Sequence, residues 1–459
     1  MRCAVSRATI DILPEVALLE IFYFYVDEAR VDAWYRLVHV CRKWRNIVFG
    51  SPRRLNLRLY CRATTPVIKT LDVWPHLPIV IWVYGHELLG VDNVIAALDH
   101  NNSISRIDLF NVSSSQLEKI LPAMQRPFPE LTRLDLQLRD ETTPVVSANP
   151  ASFLGGSAPR LQTLILSGIP YPGLPKLLLS ATQLVDLDLG RIPDFGYISP
   201  EEMVTCLSVL TKLERLLIGF ESPIRPDLES RYLPPSKRTL LPVLTELRFK
   251  GVGEYLEDLA ARIDTPLLEN LWITFFNQLI FDTPQLTQFI GRTPKFKAHD
   301  EARVVFSDLD VSVTLLQTFG GVIKLGISCC QSDWLLSSLA QVCTSSFPPA
   351  LIPAVENLYI LKFGFREWQQ EIENSQWLEL LEPFAAVKDV YLASEFTPRI
   401  APVLQELVGE RVTEVLPTLR SLFFEETLPS GPVLKTIEQF VTARRLASNP
   451  VAISCWKRK

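Results

Sequence analysis

Leu161-Gln162-Thr163-Leu164-Ile165-Leu166 and Leu184-Val185-Asp186-Leu187-Asp188-Leu189 share one pattern: an apolar residue, two free positions, an apolar residue, one free position, a third apolar residue. The closing alternation has the period of a strand that buries one face. Upstream the pattern occurs at Ile104/Ile107/Leu109 and Leu131/Leu134/Leu136. Downstream it occurs at Leu213/Leu216/Ile218, Leu244/Leu247/Phe249, Leu268/Leu271/Ile273, Val322/Leu325/Ile327, Val355/Leu358/Ile360, Val387/Val390/Leu392 and Leu419/Leu422/Phe424. Most copies start 23 to 33 residues apart, and the 54-residue gap from Leu268 to Val322 has room for one more. Ala302–Val313 is the expected strand there.

Helix-like segments alternate with these strands: Ser115–Met124, Pro200–Leu210, Glu254–Ile263, Trp334–Cys343, Gln376–Phe384 and Val403–Leu416. Pro129, Pro159, Pro242, Pro266, Pro353 and Pro417 punctuate the turn into the next strand, where proline ends helices and favours extended backbone. Such strand-plus-helix units stack side by side into a solenoid with one parallel sheet. The pattern resembles leucine-rich repeats. The asparagine or cysteine of that family is mostly replaced by an apolar residue, at Val112, Ile169, Ile192, Val252 and Phe363, with Cys330 the exception. An irregular arc is therefore expected. Ile79–Val83 reads as a strand of an opening cap, and helix Val433–Leu446 with strand Val451–Trp456 closes the array. Phe220–Leu241, with four prolines among mixed charges, reads as a projecting insertion.

The composition is that of a globular protein: 47% hydrophobic and 21% charged residues in a chain of 459. No apolar run approaches the roughly 18 residues that would span a bilayer. No apolar leader opens the sequence, so a cytoplasmic or nuclear location is expected. The eight cysteines form no C-x-x-C pair and read as buried apolar residues, with no metal expected. A net charge of −5 argues against nucleic acid as a general partner. The charge is uneven, however. The first sixty residues hold ten basic and six acidic side chains, a basic head on an acidic body.

In that head, Leu13-Pro14-Glu15-Val16 has the proline and acid of a helix start. Ala33, Leu37, Val40, Trp44 and Val48 follow as an apolar stripe at helical spacing, ended by Gly50-Ser51-Pro52. Leu13, Phe22, Phe24, Trp34 and Trp44 exceed what two or three short helices need for their own core. Either a partner helix or the following domain must cover the surplus. Leu13-Pro14-Glu15, Ile21-Phe22 and Leu37-x-x-Val40-Cys41-x-x-Trp44-Arg45 resemble the F-box, and the chain is similar to a family of fungal F-box proteins. The segment between Ile21-Phe22 and Val40-Cys41 is a few residues longer than is usual there. The resemblance implies docking to the Skp adaptor of a cullin–RING ubiquitin ligase. It places Leu13, Pro14, Ile21, Phe22, Leu37, Val40 and Trp44 at the adaptor contact or in the F-box core.

The expected fold class is thus α/β. An all-α F-box occupies residues 1–57, with its core at 11–52. An opening cap follows over 58–103, an irregular leucine-rich-repeat-like solenoid with a parallel sheet over 104–430, and a closing cap over 431–459. On the expected concave face the residue between the two closing apolars points outward. Along the chain these are Asp108, Asp135, Ile165, Asp188, Leu217, Arg248, Trp272, Gly326, Tyr359, Tyr391 and Phe423, acidic first and aromatic later. Trp272, Tyr359, Tyr391 and Phe423 are the candidate anchors for a target protein. No phosphate loop, nucleophile elbow or paired histidine motif is present. The expectation is a non-catalytic substrate receptor of a ubiquitin ligase, with no cofactor. The alternative is a non-degradative repeat scaffold.

Overall fold

The computed structural model describes residues 13–28, 33–61, 71, 76–84, 90–139, 150–169, 173–223, 237–276, 281–297, 299–308, 310–317, 320–328, 335–364, 372–407 and 409–458. Two compact units divide the chain, Met1–Thr163 and Leu164–Lys459.

The first unit begins with three helices: α1 (Glu15–Glu28), α2 (Ala33–Val40) and α3 (Arg42–Gly50). Leu18 and Phe22, one turn apart on α1, meet a core of Trp34, Leu37, Val38, Ile47 and Val48, all buried. The stripe from Ala33 to Val48 is expected to be one helix, but it is two. Cys41 adopts extended backbone, φ −160° and ψ 169°, and its Sγ accepts from Trp44 N at 3.5 Å. This N-cap restarts the helix and lets α3 turn against α2. Four parallel strands follow: β1 (Leu59–Cys61), β2 (Ile79–Tyr84), β3 (Ile104–Val112) and β4 (Arg133–Leu138). β2 is the strand expected at Ile79–Val83. Helix α4 (Val91–Leu98) precedes β3, and α5 (Ser114–Ile120) follows it behind a capping box of Ser113 and Gln116.

The second unit continues the strand-and-helix alternation. Its strands are β5 (Thr163–Ser167), β6 (Asp186–Ile192), β7 (Arg215–Phe220), β8 (Thr239–Leu240), β9 (Glu246–Gly251), β10 (Ile263–Asp264), β11 (Asn270–Phe275), β12 (Glu301–Phe306), β13 (Asp310–Leu316), β14 (Val322–Ser328), β15 (Asn357–Lys362), β16 (Asp389–Leu392), β17 (Ser421–Glu425) and β18 (Ala452–Trp456). Its helices are α6 (Leu174–Ser180), α7 (Pro200–Leu207), α8 (Gly253–Arg262), α9 (Pro284–Arg292), α10 (Leu335–Ser345), α11 (Asn374–Leu381), α12 (Thr397–Glu406) and α13 (Gly431–Leu446). The expected helix Val403–Leu416 is instead α12 and a separate 3₁₀ turn, Gly409–Thr413. In the expected insertion, residues 224–236 lie outside the described residues; β8 at its end pairs with β10. Cys329 and Cys330 also lie outside them.

The 54-residue gap does not hold the single strand expected at Ala302–Val313. It holds an antiparallel pair, β12 and β13, turned at Ser307 and Asp308, and β13 pairs antiparallel with β14. The sheet order is β11-β14-β13-β12-β15. From β11 the chain therefore crosses past two strand positions, lays down β12, and meanders back until β14 lies beside β11. Glu257 anchors the crossover by accepting from Gln285 N and Leu286 N, both at 2.8 Å, at the start of α9. Among the described strand pairings only those of β13 are antiparallel.

The missing asparagine ladder has a physical replacement. Asn111, Gly168 and Arg191 take left-handed backbone, φ 61°, 75° and 48°. Each precedes one of the apolar substitutes, Val112, Ile169 and Ile192, and these side chains are buried. At Val112 and Ile192 the strand register also shifts by a bulge. A turned backbone thus sends an apolar side chain inward where the repeat family uses a polar one. Phe363 is different, being 55% exposed.

Candidate functional site

Side chains alternate along each strand of the second unit. Leu358, Ile360, Val390, Leu392, Leu422 and Phe424 are buried, and the residues between them line the opposite, open face. Register aligns Tyr359 with Tyr391 and Tyr391 with Phe423. Their rings stack: Tyr359 on Tyr391 with centroids 4.2 Å apart and planes at 9°, Tyr391 on Phe423 at 4.5 Å and 7°. Arg303 of β12 pairs in register with Tyr359 and lies 5.7 Å over its ring. Two phenols thus stand in a partly dry stack. Burial, then the neighbouring Glu301 carboxylate, pushes the Tyr359 hydroxyl up to about 12; burial also raises that of Tyr391.

Trp272 occupies the same row on β11 and is covered by the Arg248 guanidinium at 3.8 Å, a cation–aromatic pair across β9 and β11. Gly326, expected in the row beside it, is one pleat further along. Register sets Lys324 opposite Trp272, and Gly326 opposite Thr274 and Ser312. An added Cβ at Gly326 would lie 2.9 Å from Ser312 Cβ, so the glycine serves the close approach of β13. From β9 the row reads Arg248, Trp272, Lys324, Thr314, Arg303, Tyr359, Tyr391, Phe423. Trp272 and the stack are separated by the β12–β14 meander.

Sequence spacing missed Lys324, Arg303 and Trp456. Lys324 takes the row position expected of Gly326 because β14 sits two residues out of the repeat's register, and Arg303 lies on β12, inside the gap in the repeat pattern. The alternation Val304/Phe306, polar Ser307-Asp308, then Val311/Val313 is the signal that marks the hairpin there. Trp456 meets Tyr359 edge-on at 5.8 Å and 74° and Tyr391 at 5.6 Å and 82°.

The open face of the first unit is not the acidic surface its sequence suggests. Asp108 and Asp135 are 0% and 1% exposed. Arg106 and Arg133 both hold Asp108, the latter at 3.0 Å. Arg133 also reaches Asp135 at 2.7 Å, and Gln137 donates to it at 2.9 Å. Burial raises the Asp135 pKa despite these partners.

On the head, the seven residues carried over from the F-box pattern separate by exposure. Phe22 and Leu37 are buried, Leu13 and Trp44 are half-buried, and Pro14, Ile21 and Val40 face solvent. Phe22 packs on Trp44 with centroids 4.7 Å apart. Trp44 Nε1 is buried with no hydrogen-bond partner among the described residues. Val16 and Phe24, 65% and 60% exposed, extend the apolar surface of α1 beside Ile21, and Val40 is 58% exposed.

Cys61, Cys206 and Cys343 are buried free thiols, and burial pushes Cys343 up to about 12. Among the described residues no group of three or more His, Cys, Asp or Glu side chains could hold a metal, and no helix is long and apolar enough to cross a membrane.

No protein-family model matches the sequence, and no curated protein matches it. Among solved structures the chain is similar to the leucine-rich repeat-containing protein LegL7 from Legionella pneumophila. That likeness has 14% identity and a TM-score of 0.29, over 83% of this chain and 97% of that one. It is also similar to the structure of a TLR13–ssRNA13 complex, with 11% identity and a TM-score of 0.31, over 87% of this chain and 49% of that one. The chain thus matches about half the length of the second. At these scores the leucine-rich-repeat-like architecture stands on its own strand register.

Proposed function

We propose that this chain is a non-catalytic receptor: the helical head docks the Skp adaptor of a cullin–RING ubiquitin ligase, and the open-face row of the second unit captures a target protein. The observation that carries the adaptor half is the head surface. Val16, Ile21, Phe24 and Val40 spend large apolar side chains on solvent while Phe22 and Leu37 fill the core. An apolar surface of this kind on a small helical unit is what a partner helix buries. For the target half, a row of aromatic rings flanked by Arg303 and Lys324 supplies anchors of the residue types that dominate interfaces. Catalysis is delegated, because holding a target beside a ligase raises the rate by proximity. The deciding experiment is co-expression of residues 1–459 with the Skp adaptor and size-exclusion chromatography, beside a Leu13→Ala/Pro14→Ala variant. A 1:1 complex lost in the folded variant supports the adaptor role. A folded wild type that forms no complex overturns it and leaves a non-degradative scaffold.

A further inference from the structure

The strands β15, β16, β17 and β18 lie side by side in that order. At the usual strand spacing β18 is about 14 Å from β15. Yet the end of β18 and the residues after it touch β15. Trp456 packs its ring edge-on against Tyr359 and Tyr391. Arg458 donates to Lys362 O at 3.1 Å, and its guanidinium lies 4.4 Å over the Phe363 ring. The side chains of Trp456 and Arg458 therefore reach back over β17 and β16 and together form a strap at the aromatic stack. Ser454, Cys455 and Lys457, between and beside the two anchors, are exposed.

The strap is weakly matched to its seat. Trp456 Nε1 is buried with no hydrogen-bond partner among the described residues. The hydrogen bond from Arg458 falls beyond the strand, whose pairing with β17 ends at Glu425↔Trp456. Rotating one indole and releasing one arginine uncovers Tyr359 and Tyr391 without breaking that pairing.

We propose that Trp456–Arg458 is an autoinhibitory strap on the target-binding row, and that its displacing ligand is an extended peptide segment with an aromatic residue followed two positions later by a basic one. This rests on the reading of that row as the target surface. The ligand class follows from what the seat already accepts: an aromatic edge beside the Tyr359–Tyr391 stack, and a guanidinium over Phe363 that bonds the Lys362 carbonyl. A closed strap lowers apparent affinity by the fraction of molecules that are open.

The test uses the full chain, as wild type, as Trp456→Ala/Arg458→Ala, and as Arg458→Ala alone, which alters nothing inside β18. Tyrosine nitration by tetranitromethane is read at Tyr359 and Tyr391 by mass spectrometry. A synthetic peptide of residues 452–458 is titrated against each protein, beside one with both anchors changed to alanine. Nitration is expected to rise severalfold in the double variant, and the peptide to bind it about tenfold more tightly than wild type. Equal nitration of wild type and double variant overturns the strap. Raised nitration with no peptide binding, or with equal binding of the anchorless peptide, overturns the ligand class. Neither readout uses a target, so the strap and the target surface stand or fall separately.

Discussion

Tyr391 is clamped on both ring faces, by Tyr359 at 4.2 Å and by Phe423 at 4.5 Å. Each aromatic pair contributes about 0.5–1.5 kcal/mol beyond area burial. Tyr391→Ala removes both pairs, so it is expected to cost about 1–3 kcal/mol in urea unfolding. Tyr391→Phe keeps the stack and is expected to unfold like wild type. Equal loss in both variants would show that the hydroxyl, not the stacking, holds the row.

The raised Tyr359 hydroxyl gives a pH signature. Above about 10 an unfolded tyrosine ionises, whereas folded Tyr359 stays neutral up to about 12. Its contribution to stability is therefore fully present below pH 10 and lost as pH rises towards 12. Tyr359→Phe should flatten this part of the alkaline stability profile. An unchanged slope between the two proteins would sink the assignment.

Two residues of the F-box pattern should separate packing from docking. Phe22 is 0% exposed against Trp44, so Phe22→Ala should cost about 3–5 kcal/mol in thermal or urea unfolding. Val40 is 58% exposed, so Val40→Asp should leave unfolding within about 0.5 kcal/mol while abolishing co-elution with the adaptor. Loss of the complex in Phe22→Ala alone would point to a head that must merely be folded, with its partner docking elsewhere.

Strand and helix periodicity were legible because repeated burial of one face writes itself into spacing, as at Leu184/Leu187/Leu189. The aromatic residues Tyr359, Tyr391 and Phe423 were legible for the same reason: period two fixes which face a residue takes. The placement of β12, β13 and β14 was not. The alternation on either side of Ser307-Asp308 signals a hairpin, but the neighbours that β12 and β14 take in the sheet are decided by tertiary pairing. The break at Cys41 was likewise hidden, because an apolar stripe continues in phase through a one-residue cap. Trp456 escaped because its partners lie two and three strands away, contacts that no local pattern encodes.

The arginine clamp in the first unit is the strictest case. Arg133 bonds both Asp108, at 3.0 Å, and Asp135, at 2.7 Å, and neither carboxylate has appreciable contact with water. Arg133→Ala leaves two buried carboxylates with Arg106 and Gln137 as their remaining partners, and is expected to cost about 3–5 kcal/mol near neutral pH. The defect should also depend on pH. The folded Asp135 pKa is already raised by burial, and losing the cation raises it further. A raised folded pKa means stability is gained as pH falls through it, so the variant should recover part of its loss between neutral and mildly acidic pH. Asp135→Asn in the Arg133→Ala background should recover a similar part without acid. A deficit that stays constant on acidification and is untouched by Asp135→Asn would mean the clamp matters through the packing of the Arg133 chain over the strands, not through its charge.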